Sequence, residues 1–204
     1  MKVPRRRIAG GVWWQAVVVC LLVLLAAPVM AEENADESDA SQDEAFGEEL
    51  DDEITYSPRA ESVILFDGQV TIPRPTGWNI ASPGDGAVAL FRAASDEQAQ
   101  IEVRVSSNIG EPDWQTFWRA FDTDLRQIGF TVHRQKSDKS YAGMPGVEIE
   151  YALVREERDT YHLLVWHTHS DDRAWVFTAF FAESRRDAYL ETFREMLNSV
   201  AWSG

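Results

Sequence analysis

Thiol chemistry is nearly absent from this chain. Its 204 residues include one cysteine, Cys20, inside an apolar N-terminal run. A chain cut after that run keeps no cysteine. It then forms no disulfide, no thiolate metal site and no cysteine nucleophile. Positive charge is also scarce: 19 Lys and Arg stand against 34 Asp and Glu, a net charge of −15. No basic stripe is available to neutralise phosphates, which argues against nucleic acid as a partner. The same balance argues against direct adhesion to anionic lipid. There is no Gly-x-Ser-x-Gly elbow, so a hydrolase nucleophile of that kind is not indicated. Gly84-Asp85-Gly86 and Gly143…Gly146 read as turns, since neither matches a dinucleotide or Walker pattern. Nothing in the chain sets a nucleophile beside its base, and an enzyme is not indicated.

The N-terminus is the most informative part that is present. Lys2, Arg5, Arg6 and Arg7 precede an apolar run from Val12 to Met30, broken by Gln15. The run closes on Val29-Met30-Ala31 and turns acidic at Glu32. That order of charged, apolar and small residues is a secretory signal over residues 1–31, with the cut expected between Ala31 and Glu32. The alternative is an uncleaved anchor, since a helix over this run would span roughly 28 Å, close to a bilayer core. The arginines hold the N-terminus inside in both cases, so the bulk of the chain is expected outside the cytoplasm. Contact with a membrane is expected only through this segment. Cys20 does not read as a lipidation site, because Val19 stands where a small residue is needed.

Residues 32–54 carry twelve acids and no base, with one aromatic, Phe46. So little apolar surface does not offset the entropy of ordering, and the segment is expected to be disordered. As a flexible chain it spans about 25 Å, and self-repulsion extends it. It reads as a solvating spacer, or alternatively as an acidic arm for a basic partner or cations.

Residues 55–204 are the right length for one domain. Strands come first. Val63–Phe66 and Gln69–Ile72 flank Asp67-Gly68, a hairpin signal, because those two residues tolerate positive φ. Ala87–Arg92 is a short strand, and Ile101, Val103 and Val105 alternate with Glu102 and Arg104 as a half-buried one. Trp114, Phe117, Trp118, Phe121, Leu125 and Ile128 then fall on one helical face, with Asp113 as cap and Gly129 as stop. A meander follows: Phe130–Arg134, a turn over 142–146, Val147–Leu153, Tyr161–Thr168 and Trp175–Phe181. Its last two strands are apolar on both faces, which predicts a sheet covered on both sides. Ser184 and Asp187 suit a capping box for a final helix striped by Tyr189, Leu190, Phe193, Met196, Leu197 and Val200. The predicted fold class is α+β, an antiparallel β-sheet sandwiched by helices. Most of its tryptophans are expected in the core.

This order of elements resembles the PsbP-like fold, shared with DcrB-like bacterial envelope proteins and a Ran-binding nuclear import factor. The resemblance covers roughly residues 63–202. It rests on Ile72-Pro73…Gly77-Trp78, the helix after the early strands, the Gly143-Met144-Pro145 turn and the closing Asn198-Ser199-Val200. It implies an α/β/α sandwich and a non-enzymatic accessory, assembly or binding role. The N-terminus lacks a long Ser-rich transit region, so a photosynthetic role is not implied. A periplasmic accessory protein that assists or stabilises an envelope protein partner is the leading expectation.

The competing reading is a small-ligand or divalent-metal binding protein. His167 and His169 stand two apart in a strand and share a face, so both imidazoles can approach one ion. A third ligand would come from His133, Glu148 or Glu150, while His162 lies on the opposite face. No cofactor is otherwise implied. Trp114 and Trp118, one helical turn apart, read as core rather than as a ligand platform.

Overall fold

The structure, a computed structural model, describes residues 61–84, 86–107, 111–154, 160–170 and 173–203. The signal segment, the Ala31–Glu32 cut and the acidic segment lie outside them, as do Asp85, Asp171 and Asp172.

Among the described residues, ten strands form two antiparallel sheets. β1 (Ser62–Leu65), β2 (Val70–Pro73) and β10 (Ala201–Trp202) make a three-stranded sheet in the order β1-β2-β10. β3 (Trp78–Ala81), β4 (Ala87–Ala93), β5 (Asp96–Ser107), β6 (Thr131–Tyr141), β7 (Met144–Leu153), β8 (Tyr161–Ser170) and β9 (Arg173–Ala182) make the other. Its order is β3-β4-β5-β9-β8-β7-β6. Helix α1 spans Glu111–Gln127 and helix α2 spans Arg186–Asn198.

Strands that are apolar on both faces need two covers, and the large sheet has them. One face packs Ile101, Val103, Leu164, Trp166, Phe177 and Phe181 against α2 and the small sheet. The other packs Ile149, Tyr151, Leu163, Val165 and Phe180 against Phe121 and Leu125 of α1. The result is the α+β sandwich expected from the pattern. Trp78, Trp166 and Trp175 are buried. Trp175 lies edge-on to Phe66 at 5.8 Å and to Trp202 at 5.2 Å. Such pairs add ~1 kcal/mol each beyond area burial, and these two fasten the small sheet to the large one.

The hairpin expected at Asp67-Gly68 forms. Both residues have positive φ (54° and 87°), and Gln69 N donates to Phe66 O at 3.0 Å. Four local expectations are corrected. The turn read over 142–146 narrows to Ala142-Gly143, both at positive φ, and Pro145 and Gly146 belong to β7. Helix α1 spans Glu111–Gln127, which places Asp113 inside the helix rather than ahead of it. Pro112 near the start suits this, since a first-turn N–H has no intrahelical partner to lose. The Ser184/Asp187 capping box does not form. The chain enters α2 through a 3-10 turn at Glu183–Arg185, and the residue before α2, Arg185, makes no side-chain cap. Finally, the chain pairs once more after α2, where Ala201 and Trp202 join β2.

Candidate functional site

The polar interior of the fold lies under α2. Strand β7 alternates, so Val147, Ile149 and Tyr151 face α1, while Glu148 and Glu150 face α2 beside Trp166 and Leu164 of β8. Glu148 is 6% exposed and Glu150 2%. A carboxylate so deeply buried is costly unless paired and hydrogen-bonded. Helix α2 supplies the pairing with two arginines eight residues apart. Arg186 donates to both oxygens of Glu150, from Nε at 2.6 Å and Nη2 at 2.7 Å. Arg194 donates to both oxygens of Glu148, from Nη2 at 2.6 Å and Nε at 3.2 Å. Tyr141 of β6 donates its hydroxyl to Glu148 Oε2 at 2.5 Å.

His162 of β8 completes the array. Its side chain is fully buried, with Nδ1 at 2.9 Å from Glu150 Oε1. That contact is within ion-pair range but off the line of a good hydrogen bond. The other ring nitrogen, Nε2, meets Glu183 Oε2 in the 3-10 turn. Two histidines meet here: Val132 packs on the α1 side, so alternation turns His133 toward α2, and β6 then bulges between Val132 and Arg134. The extra residue turns His133 and Arg134 toward the same side. His133 then stands edge-on to His162 at 5.0 Å, and Arg134 Nε lies 3.4 Å from Glu150 Oε2.

Electrostatics follow from this crowding. Burial works to raise the pKa of Glu150, but His162 and Arg186 outweigh it and hold the carboxyl at about 2. For His162, burial works to lower the pKa, and the carboxylates of Glu150 and Glu183 overcome it, so the net shift is upward. Burial first, then the Glu148 carboxylate, pushes Tyr141 well above the ordinary phenol range. Among the described residues, a groove of about 350 Å³ runs over this array between β6 and α2. Arg134, Arg186, Arg194, Leu190 and Asn198 are among the residues along it.

The residues singled out from the sequence divide between the two faces. His167 is buried on the α1 side, its ring tilted against that of Trp118 with centroids 3.9 Å apart. His169, two residues on, shares that face and is half-buried. Glu148, Glu150 and His133 lie on the other side of the sheet, so the third ligand expected for His167 and His169 does not come from them. The structure instead brings His133, Glu150 and His162 together, with one candidate ligand atom from each inside 4.8 Å. Sequence reasoning missed Arg186, Arg194, Glu183 and Tyr141. The available signal was two glutamates on one face of a strand, which demand cations from a facing element.

No family model matches the sequence, and no curated protein matches it. Solved structures do match by shape. Over 66% of this chain and 86% of its own, cyanobacterial PsbP (CyanoP) from Synechocystis aligns with a TM-score of 0.51 and 19% identity. The chain has a PsbP-like fold. LpqN of Mycobacterium tuberculosis, described as involved in cell envelope biogenesis, aligns with a TM-score of 0.53 and 13% identity. That alignment covers 70% of this chain and 90% of LpqN. The Ran-binding protein Mog1p of Saccharomyces cerevisiae aligns with a TM-score of 0.51 and 14% identity, over 72% of this chain and 97% of Mog1p. The chain also spans about half, 48%, of a Bacteroides thetaiotaomicron protein, with a TM-score of 0.52 and 12% identity. At these identities the likeness is one of PsbP-like fold.

Proposed function

We propose that this PsbP-like protein is an exported, non-enzymatic accessory protein of the bacterial cell envelope, and that its sandwich domain recognises a protein partner. The observation that carries the reading is how the buried ionic groups are used. Glu148, Glu150 and His162 are buried ionisable groups, and their contacts run to Arg186, Arg194, Tyr141 and Glu183. These ties fasten α2 to the sheet, a framework role. Two neighbours in shape support the direction: one carries the description Ran-binding, the other cell envelope biogenesis. The signal-like order of residues 1–31 supports export, and residues 32–54 then serve as a charged tether between the export segment and the domain.

Export is tested by cell fractionation with N-terminal sequencing. The expected result is a domain outside the cytoplasm, beginning at Glu32 or still carrying its apolar segment. Recovery in the cytoplasm with Met1 intact contradicts it.

A further inference from the structure

We propose that His133, Glu150 and His162 form a binding site for one divalent transition metal of the zinc class. The three residues come from β6, β7 and β8, adjacent strands of one sheet, so the backbone holds their spacing. Two imidazoles and a carboxylate are a donor set that suits zinc and its neighbours better than calcium or magnesium.

The surroundings have the features such a site needs. A ligating histidine normally hands its second ring nitrogen to a carboxylate, which fixes the ring and raises its basicity. His162 has that arrangement already: Nδ1 faces Glu150, and Nε2 meets Glu183. The metal would take the place of the proton at Nδ1. Phe181 stacks on the same ring at 6.0 Å and limits its rotation. His133 is exposed at the sheet edge, which leaves a path for the ion and a coordination position for water. Around a tetrahedral ion with bonds of about 2.1 Å the ligand atoms stand roughly 3.4 Å apart, so His162 Nδ1 and Glu150 Oε1 must open slightly from 2.9 Å while the His133 atom, within 4.8 Å, closes. The exposed His133 ring supplies most of that movement.

Arg186 is the competitor, since it holds both oxygens of Glu150. Each carboxylate oxygen has two lone-pair positions, so Oε1 serves Arg186 and an ion on different sides. Arg134, exposed beside Glu150, swings away without loss of a buried contact. This site stands whether or not the protein has a protein partner.

The test is calorimetric titration of the full chain with zinc chloride after removal of metal with a chelator, repeated with cobalt(II) and read by visible absorption. The expected result is one ion per chain and the intense absorption of a four-coordinate cobalt complex. His133→Ala should weaken binding at least tenfold and leave the chelator-treated melting temperature unchanged, since His133 is exposed. Glu183→Gln should weaken it about tenfold, the usual range for a partner of a ligating histidine. The double variant His167→Ala/His169→Ala should bind as the parent does. Equal binding by the parent and His133→Ala, or no binding by the parent, overturns the proposal. So does a loss of binding in the double variant alone.

Discussion

Arg186 is the most exacting place to test the energetics. Replacing it with methionine keeps most of the apolar stem and removes the guanidinium that grips Glu150 at 2.6 and 2.7 Å. Glu150 is 2% exposed and has no water to turn to. Removing one partner of a buried pair costs ~3–5 kcal/mol. His162 stays beside the carboxylate, so the lower end applies, about 3 kcal/mol. For a domain this size the melting temperature should fall by about 10 °C. Urea unfolding read by tryptophan fluorescence gives the free energy, and an unchanged slope shows that the folded state lost stability. The pH dependence sharpens the test, in chelator-containing buffer. Glu150 has a lowered folded pKa, so its stabilising effect is present above about 4.5 and fades as pH falls toward 2. The gap between parent and Arg186→Met should therefore narrow over that window. The groups facing Glu150 are Arg186, Arg134 and His162, with Glu183 behind His162. All of them except Arg186 are kept in the variant. A loss below about 1 kcal/mol, or a gap that does not narrow in acid, refutes the view of Glu150 as a buried, cation-held carboxylate.

Two further substitutions probe the same face. Gly146→Ala places a methyl 2.5 Å from His167 O and 2.5 Å from Trp166 Nε1, both fixed parts of β8. Urea unfolding should show a loss of about 1–3 kcal/mol, the usual cost of overpacking. Tyr141→Phe removes the hydroxyl that donates to Glu148 at 2.5 Å. Arg194 still satisfies Glu148, so the loss should be about 1.5 kcal/mol, the low end for a hydrogen bond to a charge. No loss in the same assay contradicts that.

The layers of the fold were legible because they rest on local periodicity. β8 and β9 lack polar alternation, and only a doubly covered sheet tolerates that. The stripe around Phe121 and Leu125 showed the inner face of α1, and Leu190, Phe193 and Leu197 did so for α2. The boundaries were less legible. A two-residue strand such as Ala201–Trp202 is too short for any period, and only the Val70–Thr71 edge it meets explains it. The Ser184/Asp187 pattern was correct as a sequence signature, but the 3-10 turn and the pull of Glu150 on Arg186 set another geometry.

The site was half legible. Alternation placed His167 and His169 on one face of β8 and His162 on the other, as observed. The error lay in drawing the third ligand for His167 and His169 from His133, Glu148 or Glu150, which stand on the α2 face of the sheet. A strict period of two also puts Arg134 on the α1 face, and the bulge beside Val132 brings it to Glu150 instead. Arg186 and Arg194 join the site from 36 and 46 residues away, which no local pattern encodes.

The most direct test of the accessory role is in-cell crosslinking of the full chain, with mass spectrometry of what co-purifies. The expected result is one dominant envelope protein, recovered also when residues 32–54 are deleted and lost when 55–204 are removed. Recovery of the protein alone, or of the same partner without residues 55–204, contradicts the assignment of recognition to the sandwich domain.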